Sequence, residues 1–506
     1  MNLHASELIK LSKVLSLGLV IGCLGIARLS FKIHVIFWIP TLILAGLAFV
    51  DLSFRYGQKR HSILRNFGVF GWARYLMESI GPELRQYWIA SDTEERPFTR
   101  RQRSEIYQIA KDEHVQSESF GTTVEKLEGT IRHSFFPVSK SDLIPYSLTF
   151  GEERGCPTPY TITKPFMASA MSFGALGEHA VRALTRGARA AGIPVNTGEG
   201  GYLMHAEEGA DLIFQLGTAK FGARHEDGTL DEDKLREAAA HDCIKMIEIK
   251  FSQGAKPGKG GLLPGDKVTA QIAQIRGLPV GKDVHSPPRH AECDTIENTV
   301  EFIGRVQQIT GIPVGIKFCL GSGDELRSLI RAMKSANSFP DYIALDGSEG
   351  GTGAAPRAFM DYVGIPLFPA LSIVTGILKE EKVRDRFKLI TAGKLISPGM
   401  QIRAFAYGAD AIYTARGFML ALGCIQALQC NTGSCPVGIT THDPFLQRGL
   451  DIQEKSERVH NYVKNMEYML KELLSATGKR EFRDLSRDNL FPAETESAAA
   501  DNVQAL

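Results

Sequence analysis

The sequence predicts an α/β protein built on a (β/α)8, or TIM, barrel, and three observations carry that reading. From Tyr160 onward, eight short apolar runs recur over about 250 residues, the length expected for eight strand–helix units. Helical stretches fill most of the gaps between them. Glycines gather in "NTGEGG", "QGAKPGKGG" and "DGSEGGTGAAP", loops where backbone must approach something closely.

The runs, in order, are "FMASAM" (166–171), "PVNTG" (194–198), "LIFQL" (212–216), "MIEIKF" (246–251), "PVGIKFCL" (313–320), "YIALDG" (342–347), "FKLITAG" (387–393) and "AIYTARG" (411–417). The expected helices include Glu178–Ala191, Asp266–Ile275, Ile296–Ile309, Asp324–Ala336 and Pro398–Ala406. A doubly wound sheet is the alternative, but it carries a phosphate fingerprint at its first turn. Here the first run opens into "SFGALGEH", and "GSG" at 321–323 has Leu326 where a third glycine belongs.

Around the expected barrel domain, 151–440, lie other segments. "VLSLGLVIGCLGIA" (Val14–Ala27) and "IHVIFWIPTLILAGLAFV" (Ile33–Val50) are apolar, and the second lacks Lys, Arg, Asp and Glu. Residues 1–54 therefore predict a transmembrane hairpin, with a signal peptide as the alternative. Lys10 and Lys13 before it, and Arg55, Lys59, Arg60, Arg65 and Arg74 after it, outnumber Arg28 and Lys32 between the runs. That asymmetry predicts a membrane-anchored chain with its large domain in the cytoplasm. Residues 55–150 read as a helical capping region, with Ile106, Ile109 and Ala110 forming an apolar helix face. In the C-terminal extension, 441–480, Val459, Val463, Met466, Met469, Leu470 and Leu473 recur at helical spacing, as core packing does. Residues 481–506 read as a polar tail. The formal net charge of +1 and the dispersed basic residues argue against nucleic-acid binding.

Chemistry on a barrel belongs to the loops at the C-terminal ends of its strands. After the seventh and eighth runs, Gly393, Lys394, Arg416 and Gly417 suit a phosphate site, or else ordinary turns. Lys317, inside an apolar strand, pairs with Asp346 or faces an electron-rich cofactor. Three of the eight cysteines, Cys424, Cys430 and Cys435, are spaced C-x5-C-x4-C. A cytoplasmic domain argues against a disulfide, and the gaps do not suit structural zinc. Three buried thiols and an iron–sulfur centre stay open, and spacing alone does not fix the cluster's identity.

"SAMSFGALGEHA", "NTGEGG", "QGAKPGKGGLLPGDKV", "DGSEGGTGAAP" and "GCIQALQCNTGSCPVG" occur here in the order found in the FMN-binding synthase domain of glutamate synthases. The chain resembles that family from about Arg55 to Leu474, most of all its stand-alone members that begin with hydrophobic segments. The resemblance implies FMN in the barrel. Ala170, Met171 and Ser172 would lie along the flavin ring, and Asn196 and Gln215 would bond to it. Lys317 would stabilise the reduced ring, with Asp346, Gly351, Thr352 and Gly353 beside it, and Gly393, Lys394, Arg416 and Gly417 would take the phosphate. It implies a [3Fe–4S] cluster on Cys424, Cys430 and Cys435. It also implies reductive amination of 2-oxoglutarate to glutamate, with Lys256, Arg276 and Glu199 as substrate and acid–base residues.

Two departures bear on substrate. Lys259 and Leu262 stand where the large glutamate synthases have glutamate and glutamine in "GAKPGEGGQLPG". The first cysteine, Cys23, lies in an apolar run, and no complete dinucleotide fingerprint is visible. Ammonia is therefore expected free or from a separate amidotransferase, and electrons from an external donor such as ferredoxin or a reductase subunit. The rivals are an FMN/iron–sulfur enzyme acting on another amine or keto acid, and a membrane-associated electron-transfer subunit without its own substrate.

Overall fold

The structure is a computed structural model that describes residues 5–32, 38–113, 121, 129–263, 265 and 268–491. It divides into two compact units, Met1–Arg101 and Gln102–Leu506.

In the larger unit, eight parallel strands close into a barrel in sequence order. They are β1 (Phe166–Ala168), β2 (Val195–Asn196), β3 (Leu212–Leu216), β4 (Ile244–Lys250), β5 (Val314–Phe318), β6 (Tyr342–Asp346), β7 (Lys388–Ala392) and β8 (Ala411–Thr414). The ring shuts where Ile412 of β8 registers with Phe166 of β1. Each strand matches one of the eight apolar runs. Because side chains alternate along a strand, one face of each lines the interior. Met167, Ile213, Met246, Tyr342, Ala344, Ile390 and Tyr413 form its core. Gly315 leaves room for this packing, since a side chain there would run into the Tyr342 ring.

The floor is closed by an antiparallel hairpin, Leu148–Phe150 with Tyr160–Ile162, whose Phe150 and Ile162 join the interior core. The hairpin docks at the N-terminal ends of the strands. Tyr160 Oη donates to Asp211 Oδ2 (2.8 Å), just before β3, and Arg154 pairs with Asp341 (3.0 Å), just before β6. Upward from that apolar floor the interior turns polar, so the residues able to do chemistry collect at the opposite mouth.

The outer helices follow the expected spans: Glu178–Ala191 and Pro398–Ala406 match, and the others shift by a residue at an end. The expected Asp266–Ile275 helix is Ala270–Arg276, with Asp266 and Lys267 outside the described residues. The long helix Ile452–Ala476 buries Val459, Val463, Met466, Leu470 and Leu474; Leu474 takes the buried place expected of Leu473. It presses on Glu178–Ala191 at Gly187, where a side chain would come within 2.6 Å of Val459 Cβ. The expected polar tail lies outside the described residues from 492 onward.

In the smaller unit, two helical stretches are long and apolar enough to cross a membrane: Lys10–Arg28, within helix Ala5–Lys32, and Trp38–Gly57, which is helix Trp38–Leu52 continued by the turn Ser53–Gly57. The first five residues of the expected second run, 33–37, are not among those described. At the far end of the second helix, Asp51 and Arg55 form a buried pair at 2.8 Å. Arg55 also donates to Asn66 O (2.8 Å), Ser12 O (3.2 Å) and Ser16 Oγ (2.6 Å), while Asp51 Oδ1 accepts from Val69 N (2.7 Å). This network pins both long helices to the shorter helices Ser62–Phe67 and Val69–Leu84.

Candidate active site

Two layers of polar residues rise along the barrel axis. In the lower one, Asn196 Nδ2 (β2) and Gln215 Nε2 (β3) both donate to Glu248 Oε1 (β4), at 2.8 and 2.7 Å. Tyr413 Oη (β8) lies 3.3 Å from Asn196 Nδ2. Glu248 is fully buried, and its Oε2 has no hydrogen-bond partner among the described residues. Asn196 and Gln215 thus spend these amide hydrogens on a carboxylate within the barrel.

One step higher, Lys250 (β4) and Lys317 (β5) sit in register. Lys317 is buried and its Nζ stands 3.7 Å from Asp346 Oδ2 at the end of β6, too long for a hydrogen bond. Asp346 Oδ2 accepts from Gly254 N (3.0 Å). Gly254 itself can only be glycine, because a side chain would strike Gly347 O. The glycine-rich loops after β4 and β6 therefore interlock across the mouth.

Glu199, in the loop after β2, is ringed by cations. Lys250 Nζ is 3.1 Å from its Oε2, and Lys256 and Arg276 stand close enough to act on its charge. Burial opposes ionisation of Glu199, but Lys250, Lys256 and Arg276 outweigh it and hold the carboxyl below the usual carboxylate range. Gly217 makes room for it, since a side chain there would come within 2.7 Å of Glu199 Cβ. Arg276 donates to Phe173 O (2.9 Å), and burial draws its pKa down to about 10 against the pull of Glu199. Burial also lowers the pKa of Lys256, while Glu199 opposes the shift. Three cations around one carboxylate leave this corner net positive.

The loops after β1 and β2 pack together: Gly198, at φ +64°, would bring a side chain within 2.6 Å of Ser172 N, and Met171 N donates to Asn196 O (3.4 Å). Ala170, Met171 and Ser172 thus border the Asn196 and Glu199 segments. Across the mouth, Arg416 donates to Glu349 O and lies 3.0 Å from where a side chain at Gly351 would begin. Burial lowers the Arg416 pKa to about 10, while Asp346 and Glu349 pull it upward. Gly393 and Lys394 end β7 as Arg416 and Gly417 follow β8. The close approach at Gly417 is made by Tyr462 Oη of the long helix, into which any side chain would run.

The cysteine segment adjoins this wall. A side chain at Gly353 would reach Cys430 Cβ at 3.6 Å, with Thr352 just before it in the same loop. Tyr107 Oη donates to Cys424 O (2.6 Å) and Arg103 Nη1 to Ile425 O (3.2 Å), so helix Arg100–Lys111 holds the segment's backbone. Gln426 and Leu428 adopt left-handed backbone, at φ +59° and +56°, a strained choice for residues other than glycine. All eight cysteines are described and none is in a disulfide. Among the described residues, no three His, Cys, Asp or Glu side chains converge as they would on a single metal ion.

Residues 104–480 match the family described as a conserved region in glutamate synthase. The chain belongs to the glutamate synthase family. A glutamate synthase large subunit-like protein, YerD, of Bacillus subtilis (strain 168) is 36% identical over 494 residues, covering 90% of this chain and 93% of that protein. The archaeal-type glutamate synthase (NADPH) of Thermotoga neapolitana is 37% identical, covering 62% of this chain and 59% of that protein. The archaeal glutamate synthase (NADPH) of Methanocaldococcus jannaschii is 36% identical, covering 64% and 62%. The chain thus matches about three fifths of the length of each of these two NADPH-named synthases. By family it is a glutamate synthase-type oxidoreductase.

Two residues at the mouth of this glutamate synthase barrel went unmarked in the sequence. Glu248 and Lys250 alternate with Ile247 and Ile249 in "MIEIKF", which sets them on the inward face with Met246. The signal that singled out Lys317, a charge inside an apolar strand, was present for both.

Proposed function

We propose that the chain catalyses reductive amination of a 2-oxo acid, 2-oxoglutarate to L-glutamate in the first instance, at a flavin held in the barrel mouth. The observation that carries the reading is the Glu199 corner, a carboxylate kept ionised among Lys250, Lys256 and Arg276. A dicarboxylate substrate needs an excess of cations and donors, and this corner has it. Lys256 and Arg276 bind the substrate carboxylates, and Glu199 accepts a proton from the incoming ammonium.

The residues present fit FMN. Lys317 is a buried cation 3.7 Å from Asp346, so it has charge to spare for an anionic ring. Ala170–Ser172 and the glycine loop at 351–353 would border the ring, and Lys394 and Arg416 would bring positive charge to the phosphate. FMN supplies hydride to the substrate carbon when bound.

Cys424, Cys430 and Cys435 would be the ligands of an iron–sulfur group, as the resemblance to the family implies. Cys430 and Cys435 lie near enough to Cys424 for their charges to act on it. Such a cluster, probed as [3Fe–4S] by EPR, would relay electrons from ferredoxin or a reductase subunit. Ammonia would come from solution or a separate amidotransferase, and the apolar hairpin would anchor the enzyme with its barrel in the cytoplasm.

A second reading rests on Leu262, which is 42% exposed beside Gly261, where a side chain would stand 3.4 Å from Glu199 Oε1. Where the resembling synthases have a glutamine, an apolar side chain favours a different keto acid or amine. The test is anaerobic reoxidation of the reduced protein by a panel of 2-oxo acids, with and without ammonium. Fast reoxidation by 2-oxoglutarate only when ammonium is present supports the synthase reading. Reoxidation indifferent to ammonium removes it.

A further inference from the structure

Helix Val69–Leu84 of the smaller unit is amphipathic and uncovered. Phe70, Trp72, Leu76, Met77, Ile80 and Leu84 fall on one side at helical spacing, and each is at least 39% exposed. Arg74, Glu78 and Arg85 recur at i, i+4 and i+11 on the other, with Arg74 and Glu78 paired at 2.8 Å. Only Gly71 of the helix is buried, where it meets Ile63. Beyond its first turn the helix therefore presents an exposed, largely apolar face, interrupted near its end by the exposed Glu83.

Where it begins is informative. Val69 N donates to Asp51 Oδ1, and a side chain at Gly68 would run into the same carboxylate. Asp51 is the residue at which the second apolar span gives way to charge. A membrane-spanning hairpin would place the Asp51–Arg55 pair at the bilayer boundary, because charge is costly deeper in. The amphipathic helix is bolted to that level. Around it, Lys59, Arg60, Arg65, Arg74 and Arg85 are all exposed, which complements an anionic surface.

We propose that Val69–Leu84 lies in the headgroup region of an anionic lipid bilayer, apolar side down, as an interfacial helix that seats the enzyme on the membrane. The inference rests on reading the hairpin as membrane-spanning. It predicts that Trp72 and Trp88 flank the buried strip at headgroup depth, as tryptophans do.

The chain's three tryptophans, Trp38, Trp72 and Trp88, all lie in this unit, so fluorescence reports on it alone. The experiment reconstitutes the full chain in phosphatidylcholine–phosphatidylglycerol vesicles. One protein keeps only Trp72 (Trp38→Phe, Trp88→Phe), a second keeps only Trp88, and a third lacks all three and carries Leu44→Trp in mid-span. Each is quenched by lipids brominated near the carbonyl end or near the methyl end, and by aqueous iodide. The expected result is that Trp72 and Trp88 are quenched at least about twofold more by shallow bromines than by deep ones, as suits a helix in the headgroup layer. The tryptophan at 44 should show the reverse. Strong iodide quenching of Trp72 and Trp88 without bromine quenching would overturn the proposal, as would protection from both, which marks a protein partner or a second copy. If the tryptophan at 44 escapes deep quenching, the spanning hairpin fails while shallow quenching of Trp72 still upholds the interfacial helix.

Discussion

Arg55 and Lys317 are both buried cations beside an aspartate, one in each unit. Arg55 has Asp51 at 2.8 Å and three further acceptors, and Asp51 has a backbone N–H of its own. Lys317 has Asp346 at 3.7 Å, and Asp346 turns the same oxygen to Gly254 N at 3.0 Å. One charge is satisfied by protein on every side. The other is buried at comparable cost and left short of partners. On the function proposed above, Arg55 is a bolt and Lys317 is a group held for the cofactor at the mouth.

The largest expected effect breaks the bolt. Arg55→Met leaves Asp51 buried without its counter-charge and should destabilise the smaller unit by about 3–5 kcal/mol. Tryptophan fluorescence during thermal unfolding reads this unit alone, since all three tryptophans are in it. Flavin-dependent turnover by the barrel should not move. A melt like that of the parent protein would show Arg55 to be no bolt.

Lys317→Met should do the converse. The barrel should fold as before, because a loosely paired buried ammonium adds little to stability. Turnover should fall by about 10²–10³-fold, the usual loss when a charge-stabilising group is removed from an active site. Stopped-flow reduction and reoxidation separate this from loss of cofactor. If the variant unfolds while its residual activity per bound flavin is normal, the contrast with Arg55 collapses.

A smaller effect is expected at the Glu199 corner. Lys256→Ala should lower kcat/KM for the 2-oxo acid by about a hundredfold by removing a buried partner of an anion, and an unchanged value would sink the assignment. The pH profile sharpens the point. Burial lowers the Lys256 pKa, so the alkaline loss of activity should begin below the range of an ordinary lysine. Lys250, Lys256 and Arg276 hold Glu199 ionised, so the acid limb should lie below the usual carboxylate range. For stability the two groups act in opposite senses. The Glu199 contribution is present above its unfolded pKa and is lost as pH falls through its lower folded value. Lys256 weighs against folding while it is charged, and that burden lifts as pH rises through its folded pKa.

What the sequence disclosed follows from the range of the interactions concerned. All eight strands were legible because each is a short apolar run between turn residues, a local signal. Helices Glu178–Ala191 and Pro398–Ala406 were legible to the residue, the first ending at left-handed Gly192 and the second opening on Pro398. Gly417 read as a phosphate glycine from its place after β8; that Tyr462, forty-five residues later, also needs it to lack a side chain is visible only once the long helix has docked. Glu248 escaped for the opposite reason. Its signal was local, but its meaning depends on Asn196 and Gln215 arriving from two other strands.

The smallest predicted effect bears on what the mouth is for. Lys317 and the Glu199 corner provide charge, which favours any anionic keto acid, and charge alone does not choose among them. Choice requires directional donors. Leu262 lies one residue beyond Gly261, where a side chain would stand 3.4 Å from Glu199 Oε1, and it is 42% exposed. Leu262→Gln puts an amide at that edge. If the pocket is otherwise shaped for 2-oxoglutarate, the new donor should raise kcat/KM for it by about tenfold, a gain of roughly 1.4 kcal/mol. It should leave a 2-oxo acid with no second carboxylate unaffected. A gain shared equally by both substrates would mean the amide senses the common 2-oxo end, and position 262 would then carry no preference for the dicarboxylate. No gain for either, with turnover intact, would place the specificity of this barrel elsewhere and favour a substrate whose far end is apolar.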